Sequence, residues 1–73
     1  VDLSPREFEV LAFLELRIGE AVSRDDLRRA VWQDADPASN VVDSTVYSLR
    51  QKMGEDGERL ETVRGFGYRL GRD

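Results

Sequence analysis

A chain of 73 residues with no histidine and no cysteine has few side chains able to do acid–base or covalent work. What remains is a set of carboxylates and hydroxyls, two tyrosines and a single lysine, Lys52. Asp25 and Asp26 are adjacent, so on a helix they diverge by about 100° and do not face one another across a substrate. Ser23, just before them, is better placed to cap a helix than to attack a carbonyl. Asp34 and Asp36 have the alternation of a calcium loop, but the glycine and closing glutamate of such a loop are missing. These residues predict no enzyme, no metal site and no cofactor. Without cysteine there is no disulfide framework, which fits a reducing compartment.

The chemistry left is recognition by hydrogen bonds and guanidinium groups. Its centre is the stretch Ser39–Gly54. Val42, Val46, Leu49 and Met53 recur at i, i+4, i+7 and i+11, one apolar stripe of a helix. The opposite side carries Asn40, Ser44, Tyr47, Ser48 and Gln51, polar residues without a charge. Arg50 and Lys52 lie on the two flanks. One face is suited to burial and the other to a partner rich in donors and acceptors, as when a helix is presented to DNA.

Net charge is 11 − 15 = −4, which argues against a nonspecific nucleic-acid binder. The positive residues are concentrated late in the chain. Between 59 and 72, Arg59, Arg64, Arg69 and Arg72 face only Glu61. The same cluster also fits a solvated ribbon with no partner.

The remaining elements must position that helix. Ser4-x-x-Glu7 is a capping box with Pro5 at the first helical position, and Leu3 and Phe8 are spaced as a hydrophobic staple. The helix so started runs through Phe8, Val10, Leu11, Phe13, Leu14 and Leu16 and should stop near Gly19. Ser23-x-x-Asp26 is a weaker box, with Val22 and Leu27 as a second staple; Leu27, Ala30, Val31 and Trp32 supply its core face. Gln33–Ser39 reads as a loop, and Ser39 as the cap of the stripe helix. After a turn at Glu55–Glu58, Leu60–Val63 and Gly67–Leu70 read as two strands around Arg64-Gly65-Phe66. Val1-Asp2-Leu3 fits the end of another strand. The whole is one domain over residues 1–73, with a small core worth roughly 3–5 kcal/mol and no membrane-spanning segment. Lacking a signal-peptide pattern at its abrupt start, it reads as a fragment of something longer.

Leu3-Ser-Pro-Arg-Glu-Phe-Glu-Val-Leu11, Val22-Ser-Arg-Asp-Asp-Leu27, Ala30-Val-Trp32, Val41-Val-Asp43 with Leu49-Arg-Gln-Lys52, and Thr62-Val-Arg-Gly-Phe-Gly-Tyr-Arg69 resemble the winged-helix effector domain of OmpR/PhoB-type response regulators. The resemblance implies an α+β, mainly helical, winged helix-turn-helix: three helices and a C-terminal β-hairpin wing, with the family's N-terminal sheet largely absent from this chain. It implies a cytoplasmic transcription factor that binds tandem half-sites of double-stranded DNA as a homodimer. An upstream receiver domain and a sensor kinase are implied too. The 40–53 helix would lie in the major groove, where Asn40, Thr45, Tyr47, Ser48 and Arg50 match contact positions. Ser44, Gln51 and Lys52 extend that surface, and Thr62 and Arg64 match wing positions on backbone and minor groove. The loop Gln33–Ser39 matches a segment that meets RNA polymerase in some members, with Asp34 and Asp36 as its acids; a solvated loop is the plainer reading.

Several of these residues have a second reading. Arg64 can pair with Glu61 across the hairpin. Arg50 can pair with Asp43 or another acid inside the domain, and Lys52 can be a solvated helix end. Where many family members have arginine, histidine or lysine, this chain has Tyr47 and Ser48, which removes the bidentate guanine contact. Gln51 or Asn40 can pair with adenine and Thr45 can meet a thymine methyl. The rival to DNA binding is a winged-helix protein-interaction module, which the acidic total and the neutral helix face favour.

Overall fold

A computed structural model describes residues 2–34, 36 and 39–72. Its elements are α1 (Pro5–Glu15), β1 (Ala21–Ser23), α2 (Arg24–Val31), α3 (Val41–Met53), a 3-10 turn (Gly54–Arg59), β2 (Leu60–Val63) and β3 (Gly67–Leu70). This is a winged helix-turn-helix: three helices against a small antiparallel sheet.

α1 starts as its sequence dictates. Ser4 Oγ accepts the Glu7 N–H at 3.2 Å and Glu7 Oε1 accepts the Ser4 N–H at 2.8 Å, so both halves of the capping box form. In α2 only one half does, with the Asp26 N–H donating to Ser23 Oγ at 3.0 Å. α3 begins one residue later than expected. Asn40 is its N-cap but makes no side-chain capping bond, while Ser39 Oγ accepts the Val41 N–H. The Asn40 amide is therefore left for other partners.

The hairpin strands are those read from the sequence, paired Leu60↔Leu70 through Val63↔Gly67. The sheet, however, has a third strand. β1 pairs with β3 (Ala21↔Arg69, Val22↔Tyr68, Ser23↔Gly67), giving the order β1-β3-β2. β1 and β3 approach so closely that a Cβ on Gly67 would sit 2.1 Å from the Val22 carbonyl oxygen. Only glycine fits there. β1 ties the wing to the start of α2, and the Arg24 N–H adds a bond to the Phe66 carbonyl.

The core lies where α1, α2, α3 and the sheet meet. Val10, Leu14, Val22, Leu27, Val31, Val42, Val46, Leu49, Leu60, Tyr68 and Leu70 are buried. Each large aliphatic among them contributes about 1.5–3 kcal/mol of burial. Trp32 is half-buried against this cluster. α1 ends at Glu15, short of the stop expected near Gly19, and its apolar run is not all in the core: Phe8 is 62% and the C-cap Leu16 82% exposed. The helix turns Glu7, Val10 and Leu14 inward instead, and Leu3 packs on the core without burying Phe8. Asp2 and Leu3 form no strand. Val1 lies outside the described residues, as do Ala35, Pro37 and Ala38 of the 33–39 loop.

Candidate nucleic-acid interface

Because Val42, Val46 and Leu49 are pinned in the core, α3 has a fixed rotation about its axis. A step of about 100° per residue then places Asn40, Ser44, Tyr47 and Gln51 together on the far side. All four are exposed, and the Tyr47 ring is 67% accessible. None of these side chains makes a hydrogen bond or ion pair among the described residues. The outward face is thus a ridge of unused neutral donors and acceptors.

The two flanks of α3 are built differently. Ser48 and Lys52 turn toward α1, where Glu7 is 4% exposed. Lys52 Nζ donates to Glu7 Oε1 at 2.7 Å and Ser48 Oγ donates to Oε2 at 2.5 Å. With the Ser4 N–H already on Oε1, the carboxylate has three donors. Lys52 first, then Ser48 and the Ser4 N–H, lower the Glu7 pKa to about 2, outweighing the opposing effect of burial.

On the other flank Arg50 turns toward the sheet. Its Nε donates to the Leu60 carbonyl and a terminal nitrogen donates to Thr62 Oγ1, both at 2.8 Å. Its guanidinium carbon is 5.7 Å from the Tyr68 ring centroid. These partners are neutral, so Arg50 is oriented without losing its charge. Thr62 keeps its own hydroxyl proton to donate outward, since it accepts from Arg50.

The base of α3 is fastened by a second charged group. Arg24 Nε donates to Asp43 Oδ1 at 2.8 Å, the Tyr68 hydroxyl donates to the same oxygen, and Arg24 lies 5.2 Å from the Tyr68 ring. The Tyr68 and Arg24 bonds lower the Asp43 pKa, while burial and then Asp43 raise that of Tyr68. One carboxylate therefore joins α2, α3 and β3.

The wing completes the surface. Gly65 at its tip has φ +73°, a value side chains resist. Glu61 pairs with Arg69 at 2.5 Å, not with Arg64. Arg64 is exposed and has no ion pair or hydrogen bond among the described residues. Phe66 beside it is 47% exposed.

The family model described as "Transcriptional regulatory protein, C terminal" matches residues 1–70. The chain belongs to this OmpR/PhoB-type family. The transcriptional regulatory protein PmrA of Pectobacterium parmentieri is 44% identical over 72 residues, 96% of this chain and 31% of that protein. The chain thus spans about a third of that curated relative's length. The DNA-binding domain of Bacillus subtilis CssR has a similar fold, with a TM-score of 0.84 at 38% identity over 96% of this chain and 78% of that one. The response regulator AdeR DNA-binding domain, crystallised with an intercistronic region, gives 0.83 at 30% identity, covering 99% and 75%.

Among this family member's anticipated site residues, Asn40, Ser44, Tyr47 and Gln51 are exposed on α3, Thr62 and Arg64 are exposed on the wing, and half-buried Arg50 links the two by donating to Thr62. Thr45 is half-buried, and Ser48 and Lys52 are spent on Glu7. Among the described residues Arg50 pairs with neither Asp43 nor another acid. Asp34 is exposed after α2, lining a cavity with Arg6, Glu9 and Trp32, and Asp36 is exposed in the following loop. The sequence assigns Glu7 to the capping box but not to its bonds with Ser48 and Lys52, and it leaves the Arg24–Asp43–Tyr68 group unseen. Glu7 had a signal: with Val10 and Leu14 it occupies i, i+3 and i+7, an inward stripe that includes a carboxylate.

Proposed function

We propose that this domain binds double-stranded DNA in a sequence-dependent way and regulates transcription as the effector of a two-component response regulator. The observation that carries the reading is the exposed side of α3, fastened on both flanks and without internal partners among the described residues, with Arg50 tied to Thr62 of the wing that carries exposed Arg64. A major groove about 12 Å wide admits such a helix. The wing then meets the adjacent backbone or minor groove, where arginine is favoured. Arg50 and Thr62 form a ready phosphate clamp, a preorganised guanidinium beside a hydroxyl that still donates.

Family membership supports the wider setting: an upstream receiver domain controlled by a sensor kinase, a homodimer on tandem half-sites, and cytoplasmic location. It also supports a role for Asp34 and Asp36 in meeting RNA polymerase, since both carboxylates are exposed beside the DNA-directed helix in sequence.

The test is retention of duplexes from a random-sequence pool by the domain. Retained DNA should bind with log affinity falling linearly with log salt, by about 0.9 per phosphate contact. No retention at low salt, with helical circular dichroism intact, would favour a protein-interaction module instead.

A further inference from the structure

We infer that α3 reads A·T base pairs, with Gln51 pairing with adenine and Tyr47 packing against a neighbouring thymine methyl. The inference rests on the DNA-binding reading above and specifies what that surface selects.

Guanine is selected chiefly by arginine or lysine donating to O6 and N7. α3 carries two cations, and neither is on its outward ridge. Lys52 is drawn to the α1 side by buried Glu7, and Arg50 is drawn to the sheet side by the Leu60 carbonyl and Thr62. The ridge between them offers the Gln51 amide, the Tyr47 ring and hydroxyl, the Ser44 hydroxyl and the Asn40 amide. A glutamine amide supplies the donor and acceptor that match adenine N6 and N7, while an exposed aromatic edge suits the thymine methyl.

Spacing adds to the case. Tyr47 and Gln51 are i and i+4 neighbours, with Cβ atoms about 5–6 Å apart. Successive bases on one strand are about 3.4 Å apart along the duplex. The two side chains therefore fall on adjacent or next-adjacent base pairs, and together they define a short A·T step. Tyr47 and Gln51 are specificity-determining residues, while Arg50 and Arg64 are the gripping ones.

The deciding experiment is parallel selection from a random duplex pool with the wild-type domain and the exposed-site variant Gln51→Glu. Wild type should enrich adenine at one fixed position of each half-site, beside a second A·T pair, with about tenfold preference over other bases. Glutamate accepts hydrogen bonds but cannot donate, so the variant should change that position to cytosine, whose N4 is a donor. Guanine enriched by wild type at the contacted step, or an unchanged base preference in the variant, would overturn the inference while leaving DNA binding intact. If neither protein retains DNA at low salt and both remain folded by circular dichroism, the underlying reading fails and this one with it.

Discussion

The two flanks of α3 hold cations only two residues apart, Arg50 and Lys52, and use them in opposite ways. Lys52 meets a buried carboxylate, so its charge is cancelled inside the domain and serves to hold α3 against α1. Arg50 meets a carbonyl, a hydroxyl and a ring, so it is held equally firmly while its charge stays available. Hydrogen-bonding geometry alone does not separate these cases; the charge of the partner does. The same distinction appears on the wing, where Arg69 is paired with Glu61 and Arg64 has no acid partner among the described residues. In an acidic domain this sorting decides where an anionic partner can be gripped.

The largest effect should come from destroying one flank. Gly67→Ala would force a methyl into the Val22 carbonyl, separating β1 from β3 and loosening the sheet that orients Arg50. The expected loss is about 3 kcal/mol or more, much of the stability of so small a domain, read as a lower midpoint of urea unfolding.

Acid should attack the other flank. Glu7 has a folded pKa of about 2 against an ordinary value of 4.5, so its stabilisation is fully present above pH 4.5 and drains away as pH falls toward 2. Asp43, also lowered, acts in the same direction. Urea midpoints should therefore fall between about pH 5 and pH 3, and fall less in Glu7→Gln than in wild type. Equal acid losses in both proteins would place the sensitivity elsewhere.

Arg50→Ala should spare the fold more and the binding less, with affinity for a selected duplex down about tenfold and the salt slope reduced by about 0.9. The smallest effect belongs to Tyr68→Phe, which removes one donor from Asp43 while Arg24 remains. About 1 kcal/mol of stability should be lost, with base preference unchanged in a selection.

Three local signals in the sequence proved faithful, while the Leu3–Phe8 staple and the Ser39 cap did not. The capping box of α1, the apolar stripe of α3 and both hairpin strands lie where composition and spacing place them, because each depends on residues within a few positions of one another. Contacts between distant segments were not legible in the same way. β1 is three residues long and exists only because β3 offers it an edge, so Val22 and Ser23 look like a staple and a cap. Phe8 of α1 and Leu16 at its C-cap belong to one apolar segment, yet the core has room for one side of it, and Glu7 takes an inward place. Whether Ser48 and Lys52 face outward or toward Glu7 depends on how α1 packs against α3, across more than 40 residues of chain. Charge type is visible in a sequence; charge compensation requires the fold.

On the proposed function, DNA is gripped from the wing side of α3 and not from the α1 side. The direct measurement is the salt dependence of binding to one selected duplex by Arg64→Ala and Lys52→Ala, between about 50 and 200 mM salt. Arg64→Ala should lose about 0.9 from the slope and Lys52→Ala should keep the wild-type value. Equal losses, or a loss confined to Lys52→Ala, would contradict it.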